Sequence, residues 1–222
     1  MKKSLELGSL SAPKTKNSYF ISFEGIEGSG KSTQIKLFET HLKSLGFQVL
    51  VLREPGGTEF GEKLRQVMLD GKNEISALAQ TYLFLASRAQ LLNEVVMPWL
   101  QKPKHVVILD RYVDSTLAYQ GYAGGLGAQT ILKLHDVTPL NNLPHLTFYL
   151  AISLEASMAR QLKRGREKDY FESKPKDFYQ KLIAGYDDVC ETFPERVKRI
   201  NGEKSQAEVT ASINQIWENF CG

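Results

Sequence analysis

The chain has 222 residues, of which 42% are hydrophobic and 24% are charged, and this composition is typical of a folded globular protein. Its formal net charge of +3 is too small to indicate binding to nucleic acid or to a membrane surface. No run of eighteen apolar residues predicts a transmembrane helix. The two cysteines, Cys190 and Cys221, follow no metal-binding or C-x-x-C spacing, so we expect free thiols in a reducing cytoplasm.

Two parts are expected along the chain. Residues 1–18 are rich in Ser, Lys, Pro and Asn and predict a flexible arm, and residues 19–222 predict one domain in which short apolar runs alternate with segments of helical periodicity. Strands are predicted over residues 20–24, 48–52, 105–109, 146–151 and 197–200. Helices are predicted over residues 33–44, 62–69, 77–100, 115–122, 129–135, 154–163, 177–191 and 207–220. This alternation predicts an α/β fold with a five-stranded parallel sheet flanked by helices on both faces.

A phosphate-binding loop follows the first predicted strand. Residues 25–32 read Gly-Ile-Glu-Gly-Ser-Gly-Lys-Ser, the G-x-x-x-x-G-K-S pattern, and a helical segment follows directly. Backbone N–H groups at the start of that helix favour phosphate, Lys31 is expected on the β/γ oxygens, and the Ser32 hydroxyl is expected on Mg²⁺. The pattern predicts a P-loop NTPase fold that binds a nucleoside triphosphate. The predicted nucleotide-binding residues here are Gly25, Ile26, Glu27, Gly28, Ser29, Gly30, Lys31, Ser32 and Thr33.

Polar residues also follow the second and third predicted strands, at the edge where parallel sheets bind ligands. Residues 53–58 read Arg-Glu-Pro-Gly-Gly-Thr. A plain turn accounts for the glycines but not for the Arg-Glu pair. After the third strand, Asp110 suits the Mg²⁺ shell and Arg111 suits a phosphoryl oxygen, although a helix cap and a solvated arginine would give the same pattern. Beside a P-loop, the functional interpretation is favoured.

Residues 160–168 are rich in Arg and Lys. Such a run is usually a solvated helix face. The P-loop, however, supplies only Lys31 as a cation, and a mobile LID over about residues 160–175 would bring arginines onto the transferring phosphate. Arg164 and Arg166 are the candidate catalytic residues in this segment, and Arg160 is assigned to ATP binding.

The P-loop alone does not name a reaction, but no N-K-x-D tetrapeptide follows it, which argues against a GTPase. Four further strings, in this order, resemble the thymidylate kinase family, whose members convert dTMP to dTDP with ATP. They are Phe-Glu-Gly-Ile-Glu-Gly at 23–28, Arg-Glu-Pro-Gly-Gly-Thr at 53–58, Leu-Phe-Leu-Ala-Ser-Arg-Ala-Gln at 83–90, and the segment 110–121, which begins with Asp-Arg-Tyr and ends with Ala-Tyr-Gln-Gly. The resemblance extends from residue 19 to the C-terminus.

The resemblance implies roles that composition does not. Phe84 stacks on thymine, Arg88 one helical turn later hydrogen-bonds its carbonyl edge, and Tyr119 is associated with excluding a ribose 2′-OH. Arg65 and Arg111 contact the acceptor phosphate, and a cis peptide often precedes the proline at position 55. The implied substrate-binding residues are Glu27, Glu54, Pro55, Arg65, Phe84, Arg88, Arg111, Ser115, Thr116, Tyr119 and Gln120. The implied catalytic residues are Lys31, Arg111, Arg164 and Arg166, and the implied Mg²⁺ ligands are Ser32, Asp110 and Glu27.

Gly28-Ser29 is similar to the bacterial type of the family, which carries its catalytic arginine in the LID. Tyr170 stands where relatives commonly have an arginine, so the LID cation is left among Arg160, Arg164 and Arg166. The resemblance also implies a cytoplasmic homodimer, with residues 77–100 as a candidate interface, and ATP and dTMP as partners. A kinase for another (deoxy)nucleoside monophosphate, or a non-catalytic ATP-binding regulatory module, stays open at this point.

Overall fold

A five-stranded parallel sheet forms the centre of the protein. The computed structural model describes residues 5–69, 75–164 and 175–221. Its strands are β1 (Tyr19–Glu24), β2 (Gln48–Arg53), β3 (His105–Asp110), β4 (Leu146–Ala151) and β5 (Val197–Asn201), in the order β2-β3-β1-β4-β5. All neighbouring strands are parallel. The predicted strands and the α/β P-loop fold are therefore confirmed.

Helices cover both faces of the sheet because successive strand residues point in opposite directions. Phe20 belongs to the core on one face, whereas Ile21 belongs to the core on the other face, together with Trp217. The helices in the described residues are α1 (Lys31–Ser44), α2 (Glu59–Leu69), α3 (Ala77–Leu91), α4 (Met97–Leu100), α5 (Val113–Thr116), α6 (Ala128–His135), α7 (Leu154–Arg164), α8 (Lys176–Thr192) and α9 (Gln206–Cys221).

Two predicted helices are interrupted by wider turns. The predicted helix over 77–100 comprises α3, a π-helical turn at Leu92–Val96, and α4. Pro98 near the start of α4 has no amide hydrogen, and its ring crowds the preceding turn, which accounts for the break in regular helical bonding. The predicted helix over 115–122 likewise becomes α5 followed by a π-helical turn at Leu117–Ala123. Within the described ranges, no helix combines the length and apolarity needed to cross a membrane.

The predicted N-terminal arm contacts the domain over its described part, residues 5–18. Leu10 is buried, and Ser11 forms a bridge with Asn142 in the segment between α6 and β4. The Ser18 hydroxyl donates to the carbonyl oxygen of Leu100 at 2.7 Å. Composition had pointed only to a flexible arm, whereas these contacts place residues 5–18 along the surface of the domain.

The strand register brings three loops together at the carboxyl edge of the sheet. Asp110, the last residue of β3, pairs with Phe23 of β1 on one side and with Arg53 of β2 on the other. The P-loop, the turn after β2 and the turn after β3 therefore begin side by side. This is the edge at which the sequence predicted the site.

Candidate active site

One cavity of about 290 Å³ opens between these loops. The P-loop lines one end, and side chains of α2, α3 and the segment after β3 line the other. The predicted site residues in its lining are Glu27, Gly28, Ser29, Gly30, Lys31, Ser32, Glu54, Pro55, Arg65, Phe84, Arg88, Asp110, Arg111, Ser115, Thr116, Tyr119 and Gln120. Arg53, Leu69 and Tyr112 line it as well and were not in the predicted set. Gly25, Ile26, Thr33 and Arg160 lie outside the lining formed by the described residues.

The P-loop needs its glycines for conformation and for space. Gly25, Gly28 and Gly30 have φ values of 132°, 78° and 98°, a region that residues with a Cβ rarely adopt. A Cβ at Gly25 would lie 2.6 Å from the carbonyl oxygen of Leu150. Gly30 is the N-cap of α1 and provides no side-chain cap, so the first N–H groups of that helix can bind phosphate oxygens.

Lys31, the first residue of α1, lies beneath the P-loop. Its side chain is 8% exposed, and its Nζ donates to the carbonyl oxygens of Gly25 at 2.8 Å and Ile26 at 3.3 Å. Burial, and then the positive charge of Arg111, lower the pKa of Lys31. A bound phosphate would oppose both effects because it brings a negative charge to the ammonium.

Arg111 lies at the centre of the polar contacts. Its backbone has a φ of 75°, a left-handed conformation that costs a non-glycine residue about 1–2 kcal/mol and is often found at functional sites. Nη1 donates to Gly25 O at 3.1 Å, to Tyr186 Oη at 3.1 Å and to Ser115 Oγ at 3.2 Å, and Nη2 donates to Glu27. Burial would lower the pKa of Arg111, but the Glu27 carboxylate and other neighbours raise it well above its usual value. The guanidinium is therefore charged and held in one position.

Glu27 is the anion that stabilises this cationic centre. Burial would raise the pKa of Glu27, but the charges of Arg111 and Lys31 outweigh it and lower the pKa to about 2. One carboxylate oxygen accepts from Arg111, and the other accepts from the Tyr119 hydroxyl at 3.1 Å. Both oxygens thus have protein partners, and a place for Glu27 in a metal shell stays a prediction.

Asp110 and Ser32 fit a magnesium ion. Asp110 Oδ1 is buried without a hydrogen-bond partner among the described residues, and both side chains line the cavity. Carboxylate and hydroxyl oxygens are hard ligands of the kind that Mg²⁺ prefers. No cluster of three acidic, histidine or cysteine residues in the described ranges could hold a metal.

The other end of the cavity combines an aromatic ring with a buried ion pair. Phe84 is half-buried and lines the cavity one helical turn before Arg88, as predicted. Arg88 is 1% exposed, and its Nε and Nη2 donate to Glu54 Oε2 at 2.7 and 2.5 Å. The guanidinium also lies 4.6 Å from the centre of the Tyr112 ring. Arg88 is therefore held rigidly where it faces the cavity.

The turn after β2 closes the same end. The Glu54–Pro55 peptide is cis, and Arg65 Nη1 donates to the carbonyl oxygen of Pro55 at 2.9 Å. Thr116 and Gln120, on α5 and the π-helical turn, are buried against the cavity from the opposite side. The structure thus brings together the residues that the resemblance assigned to the acceptor nucleotide.

Two residues that support Arg111 were missed at the level of sequence. Glu24, at the end of β1, accepts from the Tyr112 amide at 2.7 Å and from Ser115 Oγ at 2.5 Å. Tyr186 on α8 shares a hydrogen bond of 2.7 Å with that serine hydroxyl. A carboxylate closing an apolar strand was a readable signal for Glu24. Tyr186 has the spacing of an ordinary core residue, so nothing in the sequence distinguished it.

Most of the predicted LID lies outside the residues that the structure describes. Helix α7 ends at Arg164, and residues 165–174 are not among the described ones, so Arg166 and the Arg164 side chain lie outside the described part. Arg160 on α7 donates to the carbonyl oxygens of Gly28 at 3.0 Å and Gly202 at 2.9 Å. It therefore joins the P-loop to the loop after β5.

Fold and site together define a P-loop phosphotransferase with a pocket for a small, ring-bearing acceptor. A family model described as thymidylate kinase matches residues 23–213. The chain belongs to the thymidylate kinase family, as the sequence predicted.

Individual relatives agree over nearly the whole chain. A thymidylate kinase of Thermoanaerobacter sp. (strain X514) is 42% identical over 201 residues, covering 90% of this chain and 98% of the relative. A thymidylate kinase of Caldanaerobacter subterraneus subsp. tengcongensis is 43% identical, with 90% and 95% covered. The crystal structure of thymidylate kinase from Ehrlichia chaffeensis superposes with a TM-score of 0.71 at 28% identity, covering 91% of this chain and 99% of that one.

We expect the buried Glu24 carboxyl to make stability pH-dependent. Burial, and then the charge of Asp114, raise the pKa of Glu24 to about 8, whereas an unfolded glutamate titrates near 4.3. Between these values the folded state binds more protons, so the free energy of unfolding falls as the pH rises towards about 8 and then levels off. Glu24→Gln removes this titration, keeps an oxygen acceptor for the Tyr112 amide, and places an NH2 donor where Glu24 Oε2 accepts from the Ser115 hydroxyl.

The measurement is urea unfolding of both proteins from pH 5 to pH 8.5. Relative to Glu24→Gln, the wild type should lose about 4 kcal/mol across this range. Other titrating groups are common to both proteins and cancel in the difference. If the free energies of unfolding of the two proteins change in parallel with pH, Glu24 is ionised over the whole range and the prediction is wrong.

Proposed function

We propose that this protein transfers the γ-phosphoryl group of ATP to dTMP, giving ADP and dTDP for dTTP biosynthesis. The observation that carries the proposal is that the P-loop and the Phe84–Arg88 pair line one cavity. A triphosphate held by the loop and a monophosphate held by its base can therefore meet within it. Membership of the thymidylate kinase family supports the same reaction.

Catalysis in this site rests on positioning and on neutralising charge, because phosphoryl transfer requires little covalent help from the protein. A dTMP phosphate oxygen attacks the γ-phosphorus in line, and it is already ionised near neutral pH, so no general base is needed. Lys31 and Arg111 supply positive charge at the cavity wall. Glu27 keeps Arg111 in place before the substrates arrive. The site is thereby organised in advance for the charge that develops.

Magnesium would be held by Ser32 and Asp110, whose oxygens face the phosphate end. When bound, it neutralises charge on the triphosphate and orients it. The unpartnered Asp110 Oδ1 supports this assignment, because a buried carboxylate oxygen without a partner is costly.

Selection of the acceptor base rests on Phe84 and Arg88. The aromatic face stacks on a pyrimidine ring, and a guanidinium can donate hydrogen bonds but not accept them. It therefore suits the O4 carbonyl of thymine and not the 4-amino group of cytosine. Tyr119, whose hydroxyl donates to Glu27, is the residue that the resemblance associates with excluding a ribose 2′-OH. A purely regulatory ATP-binding module would need none of these groups, and it is not favoured.

An acceptor panel tests the proposed function. ADP release from Mg·ATP is measured with dTMP, dUMP, dCMP, dGMP, ribosyl-TMP and thymidine. We expect strong turnover with dTMP, weak turnover with dUMP and none with thymidine, which lacks the phosphate. A flat profile, or a preference for another monophosphate, would contradict the proposed substrate while leaving a kinase. ATP binding without acceptor-dependent ADP release would contradict catalysis itself.

Lys31→Ala should lower kcat by at least about a hundredfold, because the phosphoryl group loses a preorganised cation. The fold should persist, since the lysine contacts only loop carbonyls. The matched control is Lys36→Ala, an exposed lysine on the same helix, which should keep wild-type kcat. Near-normal turnover by a folded Lys31→Ala protein would remove Lys31 from the mechanism.

We also propose that the protein is a homodimer that associates through α2 and α3. Large apolar side chains are exposed on both helices: Phe60 is 47% and Val67 50% exposed on α2, and Leu78 is 44% and Tyr82 55% exposed on α3. Each pair lies on one helix face, because residues four or seven apart point the same way. Several large apolar side chains exposed on neighbouring helices are typical of an interface.

Light scattering after size exclusion tests the dimer. The wild type should elute at twice the 25.0 kDa chain mass, and Tyr82→Asp should shift it towards one chain, because a charge would be buried at the interface. Val137→Asp is the control, since Val137 is 61% exposed in the loop after α6 and belongs to neither of those two helices. A wild type that is monomeric at micromolar concentration would overturn the proposal.

A further inference from the structure

We infer that His135, the last residue of α6, is a positioning residue for Arg88 and thereby for recognition of the acceptor base. The inference rests on the proposed function, in which Arg88 reads the pyrimidine. His135 does not line the cavity formed by the described residues and acts only through the arginine. Its side chain is fully buried, at 0% exposure.

The hydrogen bonds of the ring determine its tautomer. His135 Nδ1 lies 2.8 Å from the carbonyl oxygen of Ile131, which can only accept, so Nδ1 carries the proton. Nε2 then has a free lone pair, and it accepts from Arg88 Nη1 at 2.6 Å. Burial, and then the positive charge of Arg88, lower the pKa of His135 to about 3. The imidazole is therefore a neutral acceptor at working pH.

Together with Glu54, the histidine restrains the guanidinium at two separate edges. One carboxylate oxygen of Glu54 accepts hydrogen bonds from Arg88 Nε and Nη2, and His135 Nε2 accepts one from Nη1. Of the five N–H groups of an arginine, one on each terminal nitrogen then remains for a partner in the cavity. With Glu54 alone, the group could pivot about a single oxygen atom. The second contact defines the plane in which Arg88 presents its donors.

A neutral acceptor suits this position better than the alternatives. An apolar residue would leave a buried guanidinium N–H without a partner, which is costly. A second carboxylate would add a buried negative charge beside Glu54, whose pKa burial already raises. A neutral imidazole satisfies the donor without changing the net charge at the base-reading end.

The N-terminal arm holds the helix that carries this histidine. The Ser9 amide donates to Asp136 Oδ1 at 2.8 Å, one residue beyond His135. Glu6 N donates to Gln129 Oε1 at 2.9 Å, and Gln129 Nε2 returns a bond to Glu6 O at 3.0 Å. Both ends of α6 are thus hydrogen-bonded to the N-terminal arm. The arm precedes residues 23–213, the part of the chain that the family model matches. The arm supports the position of His135 from outside the shared domain.

His135→Leu and His135→Gln test the inference by steady-state kinetics. The leucine variant removes the acceptor for Arg88. We expect about a tenfold higher KM for dTMP, because one hydrogen bond to a charged group is lost. Its preference for dTMP over dCMP in kcat/KM should fall, while KM for ATP stays within about twofold. Glutamine can place an amide oxygen near the position of Nε2 and should recover most of the KM and the preference.

Leu132→Ala controls for lost packing in α6, where Leu132 is 1% exposed. It should lower Tm without changing the preference between dTMP and dCMP. Should His135→Leu fail to fold, His135→Asn, whose amide is too short to reach Arg88, takes its place. A folded variant without the acceptor that keeps wild-type KM for dTMP and wild-type base preference would overturn the inference.

The outcome separates this inference from the proposed function. If the wild type prefers another acceptor, dTMP phosphorylation is wrong. His135 then remains a positioning residue only if its variants raise KM for that acceptor and leave KM for ATP unchanged. Equal changes in both KM values would show a general structural role and would overturn the inference.

Discussion

The structure depends on the alignment of β1, β2 and β3 at their carboxyl ends. Asp110 pairs with Phe23 and with Arg53, so three strands end level and their loops leave the sheet side by side. A slip of one residue would turn every strand side chain to the opposite face, and both cores would be lost. Packing on the two faces of the sheet therefore also specifies which loops form the site.

Within that edge, the cations Arg111 and Lys31 are held in place before any substrate is present, by the Glu27 carboxylate and by backbone carbonyl oxygens. Arg111 is held by Glu27, by a loop carbonyl and by hydroxyl groups whose positions depend on Glu24. Lys31 rests on carbonyl oxygens of the same loop. Substrate phosphates would add the negative charge that this arrangement lacks, in a place where no reorganisation is needed.

At the end of the cavity assigned to the acceptor nucleotide, the buried polar side chains fix the orientation of Arg88 more than they stabilise the fold. Ion pairs in a protein interior gain little net stability, because desolvation offsets their attraction. The contacts of Arg88 with Glu54 and His135 are better understood as fixing the direction of hydrogen-bond donors. The aromatic contact with Tyr112 restrains the same group from a third side.

Contiguous stretches of sequence were enough to predict the P-loop and the strands of this protein. The P-loop was readable because its function resides in eight successive residues, and the strands were readable because buried parallel strands are continuous apolar runs. The resemblance to thymidylate kinases then placed Phe84 and Arg88 in the cavity that the structure shows.

Only the tertiary structure decided which distant residues support those groups. His135 and Tyr186 come from two helices far apart in the chain, and their local patterns are those of ordinary core positions. Glu24 stands out as a carboxylate at the end of an apolar strand, but only the structure shows which residues it contacts. The contacts of the N-terminal arm with α6 were equally unreadable. Local periodicity specifies which face of an element is buried, but the partner on that face depends on how whole elements pack, and that is a property of the folded chain.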